Sequence, residues 1–166
     1  TGSSTLAFCD TSISAAASVE RVPYLSCNKY NPDGPAVGYW GHFYDGPINV
    51  ADKIELSHST FSIMEQEVKM PCTGDLNGVF GIAFAALDLA WQAETPLHWP
   101  TGAVGECPPE ETAAGDVQEP LLNALKQGPM QKVGIHWNGE VGDNTGTLFL
   151  DRAATTNDFY NPQSAV

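Results

Sequence analysis

A chain of 166 residues fits one domain with a substantial core, since domains cluster around ~100–150 residues, and leaves little room for a second. Seven basic against twenty acidic residues give a formal charge of −13, which repels phosphate backbones and disfavours nucleic acids and anionic membranes as partners. No apolar run approaches the ~20 residues needed to span a bilayer, and sixteen glycines and twelve prolines, with few Lys and Arg for exposed helix faces, point to a loop-rich β protein.

Taken in order, Thr5 to Phe8 reads as a short strand that Cys9-Asp10-Thr11-Ser12 breaks, and Ser14 to Val19 as a short helix or a loop. From Val22 to Tyr30 the alternation is irregular. Asn31-Pro32-Asp33-Gly34-Pro35 is a turn by composition, because proline presets φ and Asp-Gly supplies the bend. Tyr30 on one side and Val37 to Phe43 on the other then read as the two arms of a hairpin.

Ile48 to Leu56 alternates apolar with polar residues and is expected to be a strand, with Phe61 to Met64 continuing in the same chemistry. Leu76 to Leu89 is the most apolar run. Its part Gly78-Val79-Phe80-Gly81-Ile82-Ala83-Phe84 is expected to be a buried strand whose glycines permit close backbone approach. Residues 94–119 are Pro-, Gly- and Glu-rich without periodicity, a surface loop pinned by Cys107 with its acids solvated. Pro120, the stripe Leu121, Leu122, Leu125 and the stop Gly128-Pro129 predict a short helix. Val133 to Trp137 and Thr147 to Leu150 are two strands joined through residues 138–146 as a hairpin.

Four cysteines, Cys9, Cys27, Cys72 and Cys107, allow three pairings, which the sequence does not separate. We expect two disulfides, Cys9–Cys27 and Cys72–Cys107, because the acidic, Lys-poor composition suits an oxidising, secretory setting. No Cys-x-x-Cys pair is present, and His42, His58, His98 and His136 lack metal-ligand spacing, so neither metal nor cofactor is expected. Trp40, Trp91, Trp99 and Trp137 read as core or loop anchors. The start at Thr1 carries no methionine or apolar leader and reads as a processed chain or a fragment.

Several segments, in their order, resemble the N-terminal lobe of pepsin-like aspartic peptidases. Thr1-Gly2-Ser3-Ser4 is similar to the four residues after the first catalytic aspartate in the turn Asp-Thr-Gly-Ser-Ser. Tyr30 with Asp33-Gly34, followed by Gly38-Tyr39-Trp40-Gly41 and Asp45, resembles the family's flap hairpin. Asn77-Gly78-Val79-Phe80-Gly81-Ile82-Ala83-Phe84 resembles Asp-Gly-Ile-Leu-Gly-Leu-Ala-Tyr, which lies beneath the catalytic turn. The predicted helix at 121–128, the strand Val133–Trp137, Gly146-Thr147-Leu148-Phe149 and Asp158-Phe159-Tyr160 resemble the succeeding helix, strands and tyrosine-bearing turn. The sequence departs from the pattern at Ala7, where the family usually has a tryptophan that hydrogen-bonds the flap tyrosine, at Asn77 and at Leu150-Asp151-Arg152.

The resemblance implies a mostly β fold over residues 1–166, a single lobe with one or two short helices, and the chemistry of two carboxylates that share a proton and activate a water. Thr1, Gly2 and Ser3 are then the remnant of the catalytic turn, while Tyr30, Asp33 and Gly34 contact a polypeptide substrate. Each lobe gives one aspartate, so a companion lobe or chain across the cleft is the implied partner. Two other arrangements stay open. The lobe could serve as a catalytically inactive binding or scaffold protein, or Asp10-Thr11-Ser12-Ile13-Ser14 could itself be the turn, with single lobes pairing as a homodimer; the short span from Asp10 to Tyr30 weighs against the latter.

Overall fold

A computed structural model describes residues 5–30, 37–50, 54–69, 72, 77–82, 88–94, 107–114, 123, 132–137 and 146–151. It divides into two compact units, Thr1–Pro120 and Leu121–Val166. The architecture is mostly β, as composition implies. In the first unit, seven strands form one mixed sheet: β1 (Leu6–Phe8), β2 (Glu20–Lys29), β3 (Gly38–Val50), β4 (Ile54–Ile63), β5 (Gln66–Val68), β6 (Gly78–Phe80) and β7 (Ala90–Gln92). Their order is β6–β1–β4–β3–β2–β7, with β5 added beside β3.

The long strand β3 organises the sheet. It pairs antiparallel with β2 from Gly38 to Asp45, with β4 from Phe43 to Val50, and with β5 from Gly38 to Trp40. The chain leaves β1, forms the β2–β3 hairpin, and returns in β4 to lie parallel to β1, with Ala7 opposite Ser62. The expected hairpin between Tyr30 and Val37 is present, and the Tyr30 amide donates to the Val37 carbonyl at 2.8 Å. Both prolines inside strands lie where register shifts, Pro23 between Arg21 and Leu25 and Pro47 between Gly46 and Ile48. A residue without an amide hydrogen cannot donate to the ladder and is tolerated at a bulge.

The alternation from Ile48 to Leu56, expected to be one strand, spans two. β3 runs to Val50 and β4 starts at Ile54, with Val50 opposite Ile54 and Ile48 opposite Leu56. Cross-strand partners share a sheet face, so the reversal preserves the apolar phase and hides itself from a period-two reading. Ile48 and Leu56 are both buried, whereas Asn49 and Glu55, the pair between them, are exposed.

A second expectation is corrected at Gly78–Phe84. Among the described residues the strand there covers Gly78–Phe80, stands at the sheet edge beside β1 and leaves Phe80 exposed, as is Ile82 beyond it, while Ala83 and Phe84 lie outside the described residues. An edge strand has one neighbour rather than two, so apolar composition does not guarantee burial. The glycine reading holds at Gly78: a Cβ there would lie 2.1 Å from the Ala7 carbonyl oxygen.

Two disulfides form, as expected, but neither expected pairing does. Cys9 joins Cys72 and Cys27 joins Cys107, and sheet order explains why. Cys9 ends β1 and Cys27 lies in β2, with β4 and β3 between them, a gap of about three strand spacings or ~14 Å, beyond the ~7 Å a disulfide tolerates between Cα atoms. Cys9 instead neighbours the β4 end and the β6 start: the Met64 amide donates to the Phe8 carbonyl and the Cys9 amide to that of Asn77, both at 2.8 Å. The connection carrying Cys72 joins those two places. Cys27 lies one strand from β7, along which residues 107–114 run, the Ala114 amide donating to the Ala90 carbonyl at 2.6 Å.

Residues 107–114 are thus pinned through Cys107 as expected, and Glu110 and Glu111, in a 3-10 turn (Glu110–Thr112), are exposed. Trp91 of β7 is a core anchor, fully buried, with its indole N–H 3.4 Å from the Pro109 carbonyl. Phe43 and Tyr44 are adjacent in β3 and both buried, so β3 is covered on both faces; this is why period-two alternation is imperfect in the central strands. Tyr44 stacks on Phe61 at 6.4 Å, and Phe8 meets Phe61 edge-on at 5.4 Å.

The 3-10 turn Thr11–Ala15 begins inside the expected break at Cys9–Ser12 and covers only the first two residues of Ser14–Val19, the rest of which is turn and loop. In the second unit, β8 (Lys132–Trp137) and β9 (Gly146–Asp151) make the expected antiparallel hairpin, with Ile135 opposite Leu148 and both exposed. The helix predicted at 121–128 lies outside the described residues except for Asn123, which is helical and buried.

Candidate functional site

The described residues that bear on the expected site gather around β1. Ala7, Tyr39 and Met64 form a buried cluster, and Tyr30, Val37, Val79 and the cysteines Cys9 and Cys72 pack against it. Each arrives from a different element: Ala7 from β1, Tyr39 from β3, Met64 from the end of β4, Tyr30 and Val37 from the neck of the hairpin, and Val79 from β6. The methyl group of Ala7 leaves space for the Tyr39 ring, and the Tyr30 and Tyr39 rings lie 6.5 Å apart. Tyr30 is therefore held over β1 by packing at the hairpin neck.

Beside that cluster runs a partly buried polar network. The Asn28 amide donates to the Tyr39 hydroxyl oxygen at 2.9 Å and to Ser26 Oγ at 3.3 Å. Asn28 and Tyr39 are cross-strand partners in β2 and β3, so pairing register alone brings them together. Burial pushes the Tyr39 hydroxyl up to about 12; the neighbouring Tyr30 adds to the rise, and the polar side chains of Ser26, Ser62 and Asn28 pull the other way.

Tyr39 therefore keeps its proton to higher pH when folded than when unfolded. Its contribution is intact below about pH 10 and is lost as pH climbs from about 10 towards about 12, on the order of 2–3 kcal/mol in all. Tyr39→Phe is expected to lower stability by about 1 kcal/mol near neutrality, through the lost acceptor for Asn28, and to remove this alkaline decline. Urea midpoints across the alkaline range, in both proteins, check it; an equal decline in the variant contradicts the assignment.

A second buried polar contact lies at the start of β1. Thr5 Oγ1 donates to Asp88 Oδ1, and both residues are buried. The Gly81 amide donates to the Thr5 carbonyl at 3.2 Å, so the chain after β6 is tied to the residue that follows Ser4. Asp88 is absent from the sequence-based candidates, although a signal exists: it is the lone carboxylate among the apolar residues 78–91.

Of the predicted site residues, Tyr30 is described and lies against the cluster. Thr1, Gly2, Ser3, Asp33 and Gly34 lie outside the described residues. Asp10 is exposed and caps the 3-10 turn at Thr11–Ala15, its carboxylate accepting from the Ser12 amide at 2.8 Å. Hydrogen bonds from the Ser12 side chain and backbone hold the Asp10 carboxyl below its ordinary value. That is the usual work of an aspartate at an N-cap.

No family model, curated protein or solved structure matches the chain. Among the described residues, no group of three or more His, Cys, Asp or Glu side chains converges, and no helix is long and apolar enough to cross a membrane. Two disulfides fit an oxidising environment.

Proposed function

We propose that this chain is a portion of a secreted or acid-compartment pepsin-like aspartic endopeptidase and contributes the flap hairpin and half of the peptide-binding cleft. The observation that carries the reading is the surroundings of β1. The strand that continues from Thr1-Gly2-Ser3-Ser4 is flanked by parallel β4 and antiparallel β6, and a long hairpin packs Tyr30 onto the cluster containing its Ala7.

In this reading the turn of Thr1, Gly2 and Ser3 holds the carboxylate that the family's pattern places immediately before it, and a companion lobe holds the second. Two carboxylates that share a proton supply a base for water and an acid for the scissile carbonyl. Tyr30, with Asp33 and Gly34 at the hairpin tip, closes over the polypeptide. Exposed Phe80 and Ile82 in one unit, and Ile135 and Leu148 in the other, are apolar surface of the kind a partner covers.

The protein purified from its natural source is expected to cleave an unfolded polypeptide at acidic pH and to be blocked by a peptide carrying a hydroxyl in place of the scissile carbonyl. Uninhibited cleavage, or none between about pH 2 and pH 5, close to the range between about 1.5 and about 4.7 in which a pepsin-type carboxylate dyad shares one proton, sinks the peptidase reading. One observation favours a second reading, a non-catalytic binding or scaffold lobe: Ala7 is fully buried beneath Tyr39, so no side chain at position 7 reaches the Tyr30 hydroxyl. Absence of cleavage together with tight binding of a folded partner supports that alternative.

A further inference from the structure

Away from that cluster, three ionisable side chains from separate segments meet on one face of the sheet. Arg21 Nη2 contacts His42 Nε2, and His42 Nδ1 lies 2.5 Å from Glu65 Oε1. Arg21 lies at the start of β2, His42 in the middle of β3, and Glu65 between β4 and β5. The Trp40 ring packs edge-on to His42 at 6.4 Å, and its indole N–H donates to Gln66 Oε1 at 3.2 Å.

The chemistry assigns the protons. A guanidinium has donors and no acceptor, so the Nε2 it touches must be unprotonated, and the remaining imidazole proton then sits on Nδ1 and is donated to Glu65. This arrangement exists only for neutral His42. An imidazolium donates from both nitrogens, so its Nε2–H opposes the Arg21 N–H groups while its attraction to Glu65 strengthens.

Position gives that change a mechanical meaning. Arg21 pairs in register with Tyr44 whereas Leu25 pairs with His42, so the β2 bulge at Val22, Pro23 and Tyr24 lies between them. The Arg21–His42 contact bridges this bulge. The nearby ionisable groups on other elements do not share the face: Asp45, paired with His58 at 3.4 Å, and Glu67, the partner of Tyr39, project from the opposite side of the sheet by alternation, as does Tyr24. Tyr44 lies on the same face and is buried against Phe61.

We infer that Arg21, His42 and Glu65 form an acid-released clasp on the root of the β2–β3 hairpin: neutral His42 ties the β2 bulge to β3, and protonation of His42 frees Arg21 while keeping Glu65. The inference does not depend on the reaction proposed above. The contact is present while His42 is neutral and is lost when its imidazole takes up a second proton. Release loosens the bulged segment of β2.

Two measurements on the full chain test it. Nitrogen NMR of the His42 ring above about pH 7.5, where an ordinary imidazole is neutral, is expected to find the proton on Nδ1; a proton on Nε2 overturns the clasp. Amide hydrogen exchange, expressed as protection factors, is expected to fall about tenfold between about pH 7.5 and pH 5 for protected amides of residues 20–25, the size of one charge-assisted hydrogen bond, relative to amides at the Val50–Ile54 end of the sheet. His42→Gln, whose carboxamide can accept from Arg21 and donate to Glu65 but cannot take up a proton, is expected to lose that pH dependence. An unchanged fall in His42→Gln, or no fall in the wild-type protein, overturns the proposal, and if the variant does not fold, the wild-type ring tautomer still decides.

Discussion

Gly41→Ala is expected to destabilise the protein by about 3 kcal/mol or more, the upper end of what forced overpacking costs. A Cβ at Gly41 would lie 1.7 Å from the Ile63 carbonyl oxygen and 3.0 Å from the Glu65 amide nitrogen. The contacting atoms are backbone, which no rotamer change can move aside. The chain leaving β4 passes over β3 here, and the Glu65 amide donates to the Trp40 carbonyl at 3.0 Å. Gly41 is therefore the gap through which the β4–β5 connection crosses, and enlarging it displaces both strands. Gly46→Ala is the milder comparison, since its added carbon meets the Val19 side chain at 3.1 Å and the Ser18 carbonyl oxygen at 3.3 Å, contacts that are tight by a few tenths of an ångström rather than overlapping, and should cost about 1 kcal/mol. Urea midpoints for the two variants measure the difference; equal losses would sink the crossing argument.

Removing the Cys27–Cys107 disulfide, as Cys27→Ser with Cys107→Ser, is expected to cost about 4 kcal/mol on the chain-entropy account of cross-links. The bridge closes a separation of 80 residues, against 63 for Cys9–Cys72, and dependence on loop length is logarithmic, so the two bridges should contribute nearly equally. Location distinguishes them. Without Cys27–Cys107, residues 107–114 lose their disulfide tie to β2, while contacts along β7 such as that of Trp91 with Pro109 remain. Tryptophan fluorescence of the folded double variant should therefore shift towards a more solvated indole, whereas the Cys9→Ser, Cys72→Ser pair should leave it unchanged. A urea midpoint within experimental error of the wild-type value would contradict the assigned contribution.

The candidate site was only partly legible in the sequence. Turn chemistry at residues 31–35 marked the hairpin, and the hairpin places Tyr30 against β1, because a turn signal acts within a few residues of chain. Asn28 with Tyr39, Thr5 with Asp88, and Arg21 with His42 and Glu65 carry no such signal. Their separations of 11, 83, 21 and 23 residues are set by strand register and by where the chain turns back. A lone Asp in an apolar stretch shows that a partner is needed; it does not name one.

The same division holds for the whole molecule. Residue chemistry by itself determined what acts locally: a β-rich chain from its glycine, proline and apolar pattern, the strands at β1, β8 and β9, the hairpin between β2 and β3, and an acidic loop held by Cys107. Tertiary structure decided which strands became neighbours, and with that the disulfide partners, the exposed edge at β6 and the reversal hidden within Ile48–Leu56. The physical reason is that backbone hydrogen-bond pairing is the same for nearly every sequence. The order β6–β1–β4–β3–β2–β7 is therefore chosen by which faces can be buried together, a property of the assembled sheet and of no single segment.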